Sequence, residues 1–163
     1  MAIRPLPVAE LEFVAPVWAS LLAHHAEVEP SLRTRPVAES WPMRRADYGR
    51  WLADEGSFAM VAEEEGAAVG YAVVHVGGPD ETWVTSERMA EVESLAVLPS
   101  HRGAGVGAAL MDAVEAELRR LGIEDMWLAV VAGNTEAARF YERRGLRTYM
   151  HRMHRRLTLD RDG

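Results

Sequence analysis

The spacing of apolar residues changes along the chain from the period of a helix to the period of a strand. Over residues 107–122, apolar side chains recur every three or four positions, which predicts an amphipathic helix. Its apolar face consists of Leu110, Val114, Leu118 and Leu121. In residues 57–78, two apolar runs flank the sequence EEEG, a pattern that predicts an antiparallel hairpin. The middle of the chain therefore combines paired strands with a helix.

The other segments complete a mixed α/β pattern. The predicted strands cover residues 2–6, 90–99, 125–132 and 146–159, and the predicted helices cover residues 9–27, 44–56 and 134–145. Pro16 is expected to kink or split the first helix, and residues 28–43, with three prolines, are predicted as a loop. The order β-α-α-β-β-β-α-β-α-β predicts an α/β or α+β fold with a mixed sheet, in one domain over residues 1–163.

Composition and charge narrow the class of function. The chain has 163 residues, a net charge of −7 and no cysteine, which excludes disulfides and thiolate chemistry. All 18 basic residues are arginine, and they form no concentrated basic face, so no nucleic-acid partner is predicted. No apolar run is long enough to cross a membrane, and the first ten residues show no charged region followed by an apolar stretch, as a secretory signal would. We therefore expect a cytoplasmic protein without a membrane partner. His24 and His25 diverge on a helix, and no metal site is predicted.

The sequence HRGAGVGAAL, residues 101–110, places three glycines just before the amphipathic helix. Glycines let a ligand approach the main chain, and a helix N-terminus offers unpaired N–H groups that favour phosphate. A Walker loop is excluded because the chain has no lysine. A dinucleotide fingerprint fits poorly, because the residues LPSHR separate the glycines from their strand. A tight turn without a ligand would need only one such glycine.

Two motifs in sequence give the chain a specific resemblance. The segment ESLAVLPSHRGAGVGAALM, followed after one strand by NTEAARFYERRGL, resembles the two motifs of the GNAT superfamily of acetyl-CoA-dependent N-acetyltransferases. The resemblance covers roughly residues 57–157, and Leu146 replaces a phenylalanine that is usual in the family. It implies a GNAT-like fold in which the strands equivalent to residues 91–97 and 125–131 splay apart around the pantetheine arm.

The resemblance also implies which residues bind acetyl-CoA, without any metal. The amides of the glycine loop would bind the pyrophosphate, and the main chain of the preceding strand would contact pantetheine. Arg102 either touches phosphate or braces the loop. The implied cofactor-binding residues are Leu95, Ala96, Val97, Arg102, Gly103, Ala104, Gly105, Val106, Gly107, Ala108, Asn134 and Ala137.

Three residues are candidates for proton transfer. Glu91 and Glu93 lie two apart on one strand and project to one face, and either carboxylate could help to deprotonate an amine. The family uses a base at either position, and solvated surface charges are the alternative. Tyr141 is the candidate general acid for the leaving thiolate, with core packing as the alternative.

The predicted function is therefore transfer of an acetyl group from acetyl-CoA to a primary amine by direct attack. An acyl-CoA-binding sensor without turnover is the alternative. The amine acceptor, a small molecule or a peptide N-terminus, is not identified by the sequence. Trp41 and Trp83 lie in predicted irregular stretches and are weak candidates for contacting it, whereas Trp18, Trp51 and Trp127 occupy core-like positions. The family resemblance leaves a homodimer open.

Overall fold

A computed structural model describes residues 1–155, which form one five-stranded sheet with helices on both faces. The strands are β1 (Ala2–Pro5), β2 (Phe58–Glu64), β3 (Ala67–Gly77), β4 (Met89–Val97) and β5 (Asp125–Leu128). The helices are α1 (Ala15–Val28), α2 (Val37–Trp51), α3 (Val106–Arg120) and α4 (Thr135–Arg143). Short 3₁₀ turns cover Val8–Val14 and Pro99–His101.

The sheet has the order β1-β2-β3-β4-β5, and its pairing changes character at β4. Strands β1 to β4 pair in antiparallel fashion, whereas β4 and β5 are parallel and are joined through α3. A parallel pair needs such a crossover, because a tight turn cannot join two strands that run in the same direction. The predicted mixed α/β fold is confirmed.

Helices α1 and α2 pack on one face of the sheet and α3 packs on the other. Tyr48, Tyr71 and Val73 belong to the core beneath α1 and α2. Val74 and Val114 belong to the core beneath α3. Neighbouring residues of β3 thus enter opposite cores, as the alternation of a strand requires. We refer below to the α1–α2 face and the α3 face of the sheet.

The predicted break of the first helix is confirmed, but the predicted loop over residues 28–43 is wrong in its second half. The chain changes from a 3₁₀ turn to α1 at Ala15, and Pro16 falls in the first helical turn, where a missing N–H costs nothing. Helix α2 already begins at Val37 and contains Pro42. Burial of Trp41, whose indole N–H also donates to the Glu12 carboxylate at 3.1 Å, offsets the lost backbone hydrogen bond.

The end of the chain differs from the predicted pattern. Strand β5 ends at Leu128 and its residues are half-buried, whereas a buried strand is predicted over residues 125–132. Residues 146–155 form no strand, and residues 156–159 of the predicted last strand lie outside the described residues. The predicted strand bounds were wrong here because a short apolar run does not show how many of its residues pair with a neighbouring strand. Across the described residues, no helix is long and apolar enough to cross a membrane.

Candidate active site

The glycine loop precedes α3 and turns the chain through two left-handed residues. Gly103 and Gly105 have φ angles of 74° and 84°, and Gly105 is the residue that caps α3. A side chain at either position would meet no atom within 4 Å, so conformation and not space requires glycine there. Gly107 lies in the helix with an ordinary backbone and faces the ring of Phe140. Only two of the three glycines are thus needed to shape the loop.

The amides of residues 103–108 form a row of unused hydrogen-bond donors. Within the described residues, none of these six N–H groups donates to a backbone carbonyl, and no side chain caps the helix. The first amide with a partner is that of Ala109, which donates to the carbonyl of Gly105 at 2.9 Å. Exposed N–H groups at a helix N-terminus, together with the helix dipole, form a binding site for an anion such as phosphate.

Strand β4 contains a bulge at Glu93 that reverses its side-chain alternation. Val73 of β3 pairs with Ser94, and the next residue, Val74, pairs with Val92, so Glu93 has no partner. Val92 therefore packs on the α3 face, while Ser94 packs on the opposite face. An extra residue in one strand bends it and redirects its side chains. As a result, Glu93 and Ser94 both project from the α1–α2 face.

Strands β4 and β5 separate directly beyond this bulge. Their parallel pairing ends at Val92 and Leu128, although β4 continues to Val97. Among the described residues, nothing pairs with residues 93–97 of β4 on the side away from β3. This open edge runs from Glu93 toward the glycine loop over about 13 Å, at about 3.3 Å per residue. The splaying of these strands implied by the family resemblance is therefore present.

The predicted backbone-contact residues line this open edge. The side chains of Leu95 and Val97 pack toward the α3 face, and Ala96 is buried on the opposite face. The side chains are thus engaged in the two cores, and the main chain is the part that a ligand could contact. Arg102 donates from Nε to the carbonyl of Val97 at 3.2 Å, so in this structure it braces the loop.

Glu93 occupies a poorly solvated and negatively charged position. Its side chain is 14% exposed, and the Nδ1 atom of His75 lies 3.8 Å from its Oε1 atom. Burial and, to a lesser degree, the negative charge of Glu91 raise the pKa of Glu93 to about 7. Both effects disfavour the ionised carboxylate. A carboxyl group with this pKa changes protonation at neutral pH, as a general base for an amine requires.

His75 connects Glu93 to an exposed carboxylate. Its Nε2 atom lies 2.8 Å from Oδ2 of Asp54, whose side chain is 59% exposed. The imidazole ring stacks on Trp51 with a centroid distance of 6.1 Å. His75 is therefore hydrogen-bonded to the exposed Asp54 and lies within ion-pair distance of Glu93 without a hydrogen bond to it. Sequence reasoning missed both residues, because His75 reaches β4 only through strand pairing, and Asp54, between α2 and β2, reaches His75 only in the folded chain.

Two buried tyrosines on the α1–α2 face of the sheet form hydrogen bonds beside the bulge. The hydroxyl of Tyr48 on α2 donates to Ser94 at 2.6 Å and lies 2.9 Å from the hydroxyl of Tyr71. Both tyrosines are fully buried, and burial raises the pKa of each, so both remain protonated at neutral pH. These hydrogen bonds hold the segment next to Glu93 in one position. No sequence signal pointed to them, because the partners lie 23 and 46 residues apart.

Tyr141 lies on α4, which is fixed against α3. Arg144, at the end of α4, forms salt bridges with Asp112 at 2.6 Å and Glu115 at 2.7 Å on α3. The ring of Phe140 packs against Tyr141 at a centroid distance of 5.0 Å. Burial raises the pKa of Tyr141 to about 12. The phenol therefore keeps its proton at neutral pH and can donate a hydrogen bond.

Asn134 caps α4, as the sequence predicts. Its Oδ1 atom accepts a hydrogen bond from the amide of Ala137 at 3.1 Å. The backbone N–H of Ala137 therefore already has an acceptor, and the methyl side chain of Ala137 is the part that a ligand can contact. The two residues shape the start of α4, and Asn134 lies about two turns before Tyr141.

Gly133, in the loop between β5 and α4, lies against the C-terminus of α1, and sequence reasoning missed this contact. A Cβ atom at this position would stand 1.7 Å from the carbonyl oxygen of Val28, at the end of α1. Only glycine permits so close an approach. A side chain at residue 133 would therefore push the loop between β5 and α4 away from the C-terminus of α1.

The sequence and structure of the chain are similar to known acetyltransferases. Residues 19–146 match the sequence model of a family described as "Acetyltransferase (GNAT) family". An uncharacterized N-acetyltransferase of Mycobacterium bovis is 32% identical over 102 residues, which represent 63% of this chain. The match spans 60% of the length of that relative.

Two solved structures share the fold. A GCN5-related N-acetyltransferase from Ralstonia eutropha is 25% identical, with a TM-score of 0.73 over 96% of this chain and 97% of that chain. An aminoglycoside N-acetyltransferase in complex with CoA is 19% identical, with a TM-score of 0.68 over 97% of this chain and 100% of that chain.

Proposed function

This chain belongs to the acetyltransferase (GNAT) family, and from that premise we propose that it transfers an acetyl group from acetyl-CoA to a primary amine. The main support for this proposal is that the unused amides of the glycine loop and the open edge of β4 are continuous. The row of unused amides at residues 103–108 leads into the open edge of β4, and this edge ends at Glu93. A ligand with an anionic group at one end and an amide-containing arm matches both features.

The residues present fit acetyl-CoA without a metal ion. The glycine-loop amides would hold its pyrophosphate, and the main chain of residues 95–97 would bind its arm, which carries amide groups as a strand does. When bound, acetyl-CoA supplies a thioester carbonyl for attack and a thiolate leaving group. The solved aminoglycoside N-acetyltransferase that shares this fold contains CoA, which supports the assignment by analogy.

Glu93 is the proposed general base. At neutral pH the acceptor amine is an ammonium with a pKa near 10, so its deprotonation by a group of pKa about 7 costs roughly 4 kcal/mol. An ordinary glutamate would make the same transfer roughly 4 kcal/mol more costly. Glu91 lies on the same strand, raises the pKa of Glu93 and attracts the cationic acceptor. The proton would leave through His75 and Asp54.

Tyr141 is the proposed hydrogen-bond donor to the departing sulfur. Its pKa of about 12 exceeds that of an ordinary thiol, so complete proton transfer from the phenol would be unfavourable in water. A thiolate that forms in the same poorly solvated place has a raised pKa as well, which reduces the mismatch. A phenol that is always protonated can stabilise the sulfur as the carbon–sulfur bond breaks and the amide bond forms.

The first test is the thermal stability of the protein with acetyl-CoA, free CoA or NADH. A ligand at one hundred times its Kd stabilises the native state by about 2.7 kcal/mol, which should raise Tm by about 5–10 °C for a chain of this size. We expect a shift with both CoA species and none with NADH. If no CoA species shifts Tm, the assignment of acetyl-CoA as acetyl donor is wrong, and so are the catalytic roles proposed for Glu93 and Tyr141.

The second test separates turnover from binding. Tyr141→Phe should lower the rate of CoA thiol release in the presence of amines by about 10–100-fold and keep the thermal shift with acetyl-CoA. A wild-type protein that binds acetyl-CoA but releases no thiol with any amine would instead be an acyl-CoA-binding module.

We place the reaction in the cytoplasm, the compartment that the cysteine-free composition favours.

A further inference from the structure

Arg44 on α2 is held by aromatic rings and has no acidic partner within residues 1–155. Its Cζ atom lies 4.9 Å from the ring centroid of Trp18, and 5.7 Å from those of Tyr48 and Trp51. The side chain is half-buried. The next residue, Arg45, behaves differently: it is exposed and forms a 2.9 Å salt bridge with Glu12.

A half-buried guanidinium without an acceptor is an unusual arrangement. Arginine carries five N–H donors, and arginines inside proteins are normally paired with carboxylates or carbonyls. The three rings attract the positive charge, but an aromatic ring face offers no carboxylate or carbonyl oxygen, so the N–H groups of Arg44 still lack such an acceptor. The indole N–H of Trp18 is buried and also has no acceptor among the described residues. Donors thus exceed acceptors in this cluster.

Two sets of contacts connect Arg44 with the proposed base. In the first, the Tyr48 ring beneath the guanidinium carries the hydroxyl that donates to Ser94, the neighbour of Glu93. In the second, Trp51 stacks on His75, which lies 3.8 Å from Glu93. The positive charge of Arg44 opposes the rise in the pKa of Glu93 that burial and Glu91 cause, and it adds to the lowering of the pKa of His25 on α1 that burial mainly causes. Arg44 therefore lines the same side of the sheet as the base.

We propose that Arg44 binds a carboxylate of the acceptor, so that the acceptor is an amine that also carries a carboxylate, such as an amino acid or a small peptide. This inference rests on the proposed acetyltransferase function. Glu91 and Glu93 attract the ammonium end of such a molecule, and Arg44 receives the other end. A guanidinium can bind a carboxylate through two parallel hydrogen bonds, which fixes the orientation of the amine. Polyamines and neutral amines lack the group that this site recognises.

The test compares acids with their amides as acceptors. Thiol release from acetyl-CoA is measured with a panel of amino acids, their carboxamides and several polyamines. We expect kcat/KM of the best acid to exceed that of its amide by at least tenfold. Arg44→Met should reduce this preference to about one, and Arg44→Lys should retain part of it. Arg45→Met, the neighbouring change on α2, should leave the preference intact.

Binding without turnover provides an independent readout. Tryptophan fluorescence is followed as the best acid is added to the protein saturated with free CoA, because Trp18 and Trp51 flank the guanidinium. We expect the apparent Kd to increase at least tenfold in Arg44→Met and to stay constant in Arg45→Met. The Tm of each variant in buffer shows that it is folded.

The outcomes separate the two proposals. In one outcome, acetyl-CoA binds and amines are acetylated, so the acetyltransferase function stands. The assignment of Arg44 is then overturned if carboxamides and polyamines are acetylated as efficiently as acids. It is also overturned if Arg44→Met still prefers acids over their amides. If no CoA species binds and no thiol is released, the proposed function fails and the assignment of Arg44 fails with it.

Discussion

The two faces of β4 use different means of recognition. On the side that leads to α3, the groups available to a ligand are backbone amides and an open strand edge, shaped by two glycines in one short segment. On the α1–α2 side, the groups are side chains that come from four different elements, including Arg44, His75 and Glu93. Main-chain recognition suits a donor that never changes, whereas side-chain recognition can be altered one residue at a time. The comparison teaches that the backbone of the fold forms the proposed donor site, whereas individual side chains form the proposed acceptor site.

The strongest test of this division is the removal of the proposed base. Glu93→Gln should lower kcat by about 10²–10³-fold, because the ammonium loses its proton acceptor, and should leave the Kd for acetyl-CoA unchanged. Stopped-flow or steady-state thiol release measures the first quantity, and the ligand-induced thermal shift measures the second. Glu91→Gln is the matched variant and should have a smaller effect. A larger loss in Glu91→Gln would transfer the role of base to Glu91.

The donor side is tested through the conformation of its loop. Gly105→Val should raise the Kd for CoA by about tenfold, since a β-branched residue with a φ angle of 84° costs about 1–2 kcal/mol and would displace the amides. Gly66→Val is the control, because Gly66 has a φ angle of 78° in the turn between β2 and β3 and also lies in open space. Both variants should lose similar stability, and an equal loss of CoA affinity in both would refute the role of the loop.

The unusual pKa of Glu93 should also appear in the stability of the protein without ligand. Its folded-state pKa is about 7, above that of an unfolded glutamate, so the stability linked to its proton is present below about pH 4 and is lost as the pH rises through 7. Glu93→Gln should therefore be more stable than wild type at pH 8 by about 1–2 kcal/mol, after allowance for residual solvation. At pH 4 the two proteins should be nearly equal. Urea unfolding at both pH values checks this, and equal stability at pH 8 would contradict the raised pKa.

The smallest effect concerns His75. In the wild type, kcat/KM should rise with pH through about 7, because only the ionised form of Glu93 accepts a proton. His75 lowers the pKa of Glu93, so His75→Gln should move this rise to higher pH by less than one unit. The pH profile of thiol release measures the shift. A profile that moves to lower pH would show that His75 does not stabilise the ionised carboxylate.

The donor side could be predicted from sequence because its signals are local. Gly103, Gly105 and the helix that follows lie within twenty residues, and the capping role of Asn134 needs only the next three positions. The bulge at Glu93 was not predicted, because Glu91 and Glu93 fit an ordinary alternating strand. Two adjacent polar residues, Glu93 and Ser94, are the one local sign that the alternation breaks there.

The acceptor side could not be predicted because its residues meet only in the folded chain. Trp18 is a core residue and Trp51 packs against the same core, as predicted, but the sequence did not show that both rings also contact Arg44. Trp41 was assigned to an irregular stretch and is a buried residue of α2. Each of these side chains taken alone has an ordinary structural explanation. The proposed role of Arg44 is inferred from the short distances between its guanidinium and the aromatic rings, which the sequence does not show.

The open edge of β4 also bears on how the protein avoids aggregation. An unpaired strand edge is a template on which another chain can add a strand. Here the open edge is bounded at both ends, since pairing with β5 ends at Val92 and Arg102 donates a hydrogen bond to the carbonyl of Val97. An incoming strand of five or six residues would collide with these boundaries, whereas a thin ligand arm would not. The unpaired stretch of β4 is thus no longer than five residues and is bounded at both ends, which limits the length of a strand that could add to it.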